Sequence, residues 1–174
     1  MKNEQALTEK WAGRRIGAYL ADIALLCAAL VPMGIFIQGI LGIEAKAGWQ
    51  IWINILWNFS LPTWLYFIWS EQKRNGQTVG KRLLGLQVIN QDGTPLTWQK
   101  SLMRTAIRLT PWELTHIAAF AISTNLVQFS LVQIAGVVIA MGLTAVYISI
   151  IVKTNGAKSI HDIFVATEVR SLPE

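Results

Sequence analysis

Apolar residues gather into four stretches along this chain, roughly 16–43, 49–69, 111–123 and 126–152, with polar segments between them. From Ile16 to Ile43 only Asp22 carries a charge. A helix rises 1.5 Å per residue, so about 20 residues cross a hydrocarbon core of ~30 Å, and this run is long enough to span. It is too long for the apolar core of a signal peptide, contains an acid and shows no clear A-x-A site, so it reads as a retained span. Trp49 to Trp69 forms a second span, with Trp49, Trp52, Trp64 and Trp69 toward its two ends, as in an interfacial aromatic belt. Pro62 predicts a kink there, and Asn54 and Asn58, one turn apart, share a face that should look toward another helix. The stretch 111–123 is short and holds Glu113 and His116, whereas 126–152 is long and uncharged.

Between the second and third stretches, residues 70–110 are polar. Leu84, Leu86 and Val88 alternate with Gly85 and Gln87, and Asp92 and Gly93 follow, which predicts a short strand entering a tight turn, a β-hairpin at the membrane surface. From Thr97 onward Lys100, Arg104 and Arg108 recur every fourth residue among Leu102, Met103, Ile107 and Leu109. That spacing predicts an amphipathic helix whose cationic face would meet anionic lipid headgroups.

Composition fits a lipid environment. Hydrophobic residues make up 53% of the chain and charged residues 14%, below the ~25% of an ordinary soluble domain. The net charge of +5 fits topology better than nucleic-acid binding. Four Lys or Arg precede the first span, seven lie in 70–110, three follow the fourth, and Lys46 alone falls in an outer loop. The positive-inside rule then places both termini in the cytoplasm, which requires an even number of crossings. The fold class expected is an all-α membrane protein: one domain over 1–174, a bundle of four helices, or three with 97–123 lying in the interface.

Few residues could carry chemistry. Asp22 lies inside the first span, where an ionised carboxylate costs roughly 2.5–3.5 kcal/mol on insertion scales. Arg15, two turns earlier on nearly the same face, is its expected ion-pair partner; a protonatable carboxylate on a transport path is the other reading. Asp162 would cap a helix or pair with a basic residue of the central loop, and its neighbour His161 could titrate near neutral pH. Glu113 and His116 lack a third ligand at helical spacing, so no metal is expected. The segment from Gly76 to Lys81 is one residue short of a phosphate loop and has Arg82 where Ser or Thr should follow. The single cysteine, Cys27, excludes an internal disulfide. No nucleophile set or cofactor motif is present, so an enzyme is not expected.

Three separated motifs occur in order: Arg15, Ala18 and Asp22; Gly76, Thr78, Gly80 and Lys81, followed by Asp92, Gly93 and Arg104; and His161 and Asp162 with Ala166 and Thr167. Together they resemble the RDD family of bacterial membrane proteins, named for one arginine and two aspartates. One departure is Ser159 and Ile160 after Lys158, where a Gly-Leu pair or similar would be expected before His161. The resemblance implies an integral inner-membrane protein, marks Arg15, Asp22 and Asp162 as the named residues, and carries a suspected transport role. Two functions follow as expectations. One is a small-solute or monovalent cation/proton transporter with Asp22 as coupling carboxylate, requiring a homo-oligomer because four helices line only a narrow pore. The other is a non-transporting scaffold or interaction subunit whose Arg/Asp/Asp set locks the fold.

Overall fold

The computed structural model describes residues 2–42, 44, 47–121 and 130–172, with backbone alone for 2–10. The end of the predicted third stretch, the start of the fourth at 126, and Lys46 lie outside the described residues. Helix α1 (Lys2–Leu41) is a single helix that begins well before the predicted span and holds Pro32. Helices α2 (Gly48–Ile55) and α3 (Leu61–Lys73) are joined by a π-helical turn, Leu56–Ser60, into one continuous rod. The turn sits next to Pro62, whose missing N–H cannot serve the Asn58 carbonyl, and the Leu61 N–H reaches back five residues to Leu56. The predicted irregularity at Pro62 is thus a π-turn.

After α3 the chain forms the short helix α4 (Val79–Leu83) and strand β1 (Leu86–Asn90). Helix α5 (Trp98–His116) continues through a second π-turn, Ile117–Ala121. The amphipathic segment and the third apolar stretch are therefore one helix. Pro111 lies inside it and leaves the Ile107 carbonyl without its usual donor, but the Tyr147 hydroxyl donates to that carbonyl at 2.7 Å. Tyr147 belongs to α6 (Leu131–Lys153), which is followed by α7 (Ile160–Val165) and β2 (Thr167–Ser171).

The predicted hairpin needs correction. Asp92 and Gly93 do form a turn, closed by the Asn90 N–H on the Thr94 carbonyl at 2.9 Å, but that turn leads into α5. Strand β1 pairs antiparallel with β2 from the far end of the chain, Leu86 opposite Ser171 and Asn90 opposite Thr167. A single strand with one apolar face cannot say which distant segment will satisfy its edge. Leu86, Val88 and Val169 bury that face against Ala18 of α1 and Leu96. A second core, Leu26, Phe67 and Leu109, ties α1, α3 and α5 together.

Two helices, Trp11–Leu41 and Leu131–Lys153, are long and apolar enough to cross a membrane. Their apolar surface is largely unburied; Ile139 and Met141 of α6 are 67% and 66% exposed. A core helix of a soluble protein would hide such side chains.

Candidate functional site

The charged residues converge at one end of the helices. Asp22 is reached from three directions. The Tyr66 hydroxyl donates to its Oδ1 at 2.6 Å, the Gly80 N–H to the same oxygen at 2.7 Å, and the Thr78 hydroxyl to Oδ2 at 2.5 Å. Each donor follows from local structure. Thr78 is the N-cap of α4, its side chain also accepting the Lys81 N–H, and Gly80 lies in the first turn of that helix. A Cβ on Gly80 would run into the Ala18 carbonyl and stand 3.0 Å from the Asp22 carboxyl carbon, so only glycine lets α4 dock this closely on α1. Tyr66 itself accepts the Val79 N–H at 2.9 Å. Asp22 is 1% exposed with both oxygens engaged.

The expected Arg15–Asp22 pair does not form. Arg15 reaches instead across the fold to Asp162, donates to the Gly156 carbonyl at 2.9 Å and lies 3.1 Å from His161 Nε2. Sequence spacing along one helix could not reveal this competitor, which is 147 residues away. Asp162 also pairs with Arg104 and accepts from the Ser159 N–H at 2.8 Å, which makes it the N3 member of a capping box whose N-cap is Ser159. Arg104 continues to Glu71 at 3.1 Å, and Glu71 takes Lys81 and, at 2.6 Å, Arg108. Five ion pairs thus join α1, α3, α4, α5 and α7 into one buried network. In place of headgroups, Arg104 and Arg108 meet Glu71 and Asp162, being 1% and 9% exposed, which corrects their assignment to the lipid surface. Lys100 alone of that stripe is partly exposed, donating to Asn90 at 3.0 Å.

Electrostatics follow from burial among cations. Burial by itself would raise the Glu71 carboxyl, but Arg108, Lys81 and Arg104 outweigh it and hold Glu71 well below the carboxylate range. Lys81 is pushed down to about 7 by burial, with Glu71 opposing and Arg104 and Arg108 adding to the fall. His161 is driven well below its usual value by burial first, then by Arg104 and Arg15, so it is neutral. Arg15 can only donate, so Nε2 of His161 accepts and we assign the ring proton to Nδ1.

Glu113 and His116 sit apart from this network. Glu113 accepts from Ser60 Oγ and Trp64 Nε1, both at 3.1 Å, which pins α5 to the α2–α3 rod. His116 lies 3.9 Å from it, beyond hydrogen-bond reach, edge-on to Trp112. Asn58 packs against Gly34 of α1, where an added Cβ would stand 3.4 Å away, and donates to the Asn54 carbonyl at 2.9 Å. Sequence reasoning missed Glu71, Lys81, Tyr66 and Thr78 as site residues. Glu71 had one signal, an acid at the end of a span facing a strongly basic loop. Lys81 and Thr78 had another, the motif around Gly76 and Gly80. Tyr66 had none.

A cavity of about 380 Å³ adjoins the network between α1, α5 and α6, lined on one side by Arg15, Asp22, Arg108 and His161. No curated protein and no solved structure matches this chain. The model of the RDD family matches residues 11–166, a range that begins just before Arg15 and ends beyond Asp162. The chain belongs to the RDD family.

Proposed function

We propose that the chain is a non-catalytic, multi-pass inner-membrane scaffold or interaction subunit whose charges lock a cytoplasmic lobe onto a four-helix bundle. The observation that carries this reading is Asp22, which is 1% exposed and whose oxygens are filled by three donors. A carboxylate that couples ion movement needs access to water or a cation, whereas one that accepts three hydrogen bonds welds the elements around it. Convergence supports four crossings: Arg15 near the start of the apolar part of α1, Glu71 at the end of α3, Arg104 in the first half of α5 and Asp162 after α6 share one cluster. Each rod therefore leaves and the next returns, with both termini and the cluster on the cytoplasmic side. Asp22→Asn replaces one acceptor oxygen by an amide facing donors. Expected are lower abundance and a lower melting temperature, with no solute flux in proteoliposomes from either protein.

A second reading, a small-solute or monovalent cation/proton transporter working as a homo-oligomer, has one observation in its favour: Asp22 and Arg15 line the cavity. Everted vesicles decide between them. Cation-driven proton movement that a stably assembled Asp22→Asn protein has lost would replace the scaffold reading by this one.

A further inference from the structure

Outside the charge network, the turn between α3 and α4 forms a cleft of about 520 Å³ lined by Arg74, Asn75, Gln77, Thr78, Val79 and Arg82. No acid is among these lining residues. Arg74 and Arg82 are exposed, and neither guanidinium has an ion pair or a side-chain hydrogen bond among the described residues. Arg74 is nonetheless held in place, its guanidinium lying 4.8 Å from the centre of the Trp69 ring. The walls are fixed as well. The Gly76 N–H donates to the Glu71 carbonyl at 2.9 Å, Gln77 Nε2 to the Leu86 carbonyl at 3.0 Å and Gln87 Nε2 to the Asn75 carbonyl at 2.8 Å.

The acids beneath the floor do not cancel this charge. Arg15, Lys81, Arg104 and Arg108 set against Glu71, Asp162 and Asp22 leave one positive charge, and Arg74 and Arg82 raise the excess to three. The Gly80 N–H and the Thr78 hydroxyl are already engaged by Asp22, so the two exposed arginines are left to recognise an anion.

Depth indicates where that anion comes from. Thr78 donates to Asp22 and the Val79 N–H to the Tyr66 hydroxyl. Asp22 lies about 10 Å along α1 from Arg15, and Tyr66 about 7 Å along α3 from Glu71, in both cases toward the apolar part of the helix. Helix α4 is therefore docked beside the apolar segments and not above them. Leu83, next to Arg82, is 73% exposed, and Trp69, under Arg74, is 48% exposed. Arginines beside bare Leu and Trp side chains suit the boundary between headgroups and acyl chains, whereas a free phosphate would leave both apolar groups in water.

We propose that this cleft binds the phosphodiester of an anionic phospholipid, with Arg74 and Arg82 on the phosphate and Leu83 and Trp69 against the acyl chains. The chain then meets anionic headgroups here and not along the stripe of Lys100, Arg104 and Arg108. The proposal rests on the membrane placement of α1 and α3 in the reading above, and it is independent of the choice between scaffold and transporter.

The test uses the full chain in nanodiscs of equal phosphatidylcholine and phosphatidylglycerol, released for native mass spectrometry. Expected is one retained phosphatidylglycerol, favoured over phosphatidylcholine by roughly tenfold, the scale of two basic side chains near an anionic surface. Arg74→Gln/Arg82→Gln should keep the wild-type melting temperature and lose that preference. Lys153→Gln/Lys158→Gln, which removes the same charge beyond the end of α6, should retain it. Equal loss in the two double variants, or no preference in the wild type, overturns the proposal as adventitious annular lipid only. Retention of inorganic phosphate from phosphatidylcholine discs, without a preference for phosphatidylglycerol, overturns the lipid source. A chain that fails to enter the discs overturns the membrane placement and the proposal together, whereas incorporation without preference overturns the proposal alone.

Discussion

Ala166 closes α7 in the left-handed region, with φ 55° and ψ 51°, and its side chain is exposed. A Cβ there brings strain and no packing, so Ala166→Gly should stabilise the protein by roughly 1 kcal/mol, read as a rise of a few degrees in melting temperature. His161 carries the pH dependence. It faces Arg15, Arg104 and Asp162, and burial with those cations keeps it neutral in the folded chain. The unfolded chain takes up a proton near pH 6.5, which the folded chain refuses, so stability falls as pH drops below that value. The loss approaches about 1.4 kcal/mol per pH unit for this one group. Lys81 contributes with the same sign but above pH 7, where the unfolded ammonium keeps its proton and the folded one gives it up. Melting temperatures between pH 6.5 and 5.0 should therefore fall in the wild type and flatten in His161→Asn.

At the scale of elements, the prolines decide how the rods are built. Pro111 strips the Ile107 carbonyl of its helical donor, and Tyr147 of α6 supplies a replacement at 2.7 Å. Tyr147→Phe should cost about 1–2 kcal/mol, the penalty of a buried carbonyl left bare. In a Pro111→Ala background, where the helix regains its own N–H, that cost should shrink, and a double-mutant cycle on melting free energies checks the coupling. The stripe Lys100, Arg104 and Arg108 shows what periodicity alone misses. Its helical spacing was legible, but the same spacing suits a lipid-facing stripe and a buried one, and only the acids brought by α3 and α7 turned it inward. Strand β1 was legible in its alternation for the same local reason, while its partner β2 was not.

For the whole molecule the open expectation is topology. In a Cys27→Ser background, single cysteines replacing Glu44 and Ser130 should react with an impermeant maleimide from outside intact cells. A cysteine replacing Asp92 should react only after permeabilisation. Protection of position 130 from the outside reagent would leave three crossings with 97–123 in the interface. The result also bears on the charge network, since its four contributing helix ends meet only if the rods alternate in direction.

What the amino-acid order settles by itself is local and compositional. Apolar runs longer than a bilayer is thick, basic residues gathered in the polar segments between them, and three spaced motifs place the chain in a membrane family, because burial in lipid acts on segments one at a time. Which charge meets which was decided only by tertiary structure. Arg15 lies seven residues from Asp22 on one helix, yet α4 docks against that helix through Gly80 and saturates Asp22, leaving Arg15 to Asp162. Ion pairing depends on distance in space and on competing donors, and neither can be read from spacing along a single helix.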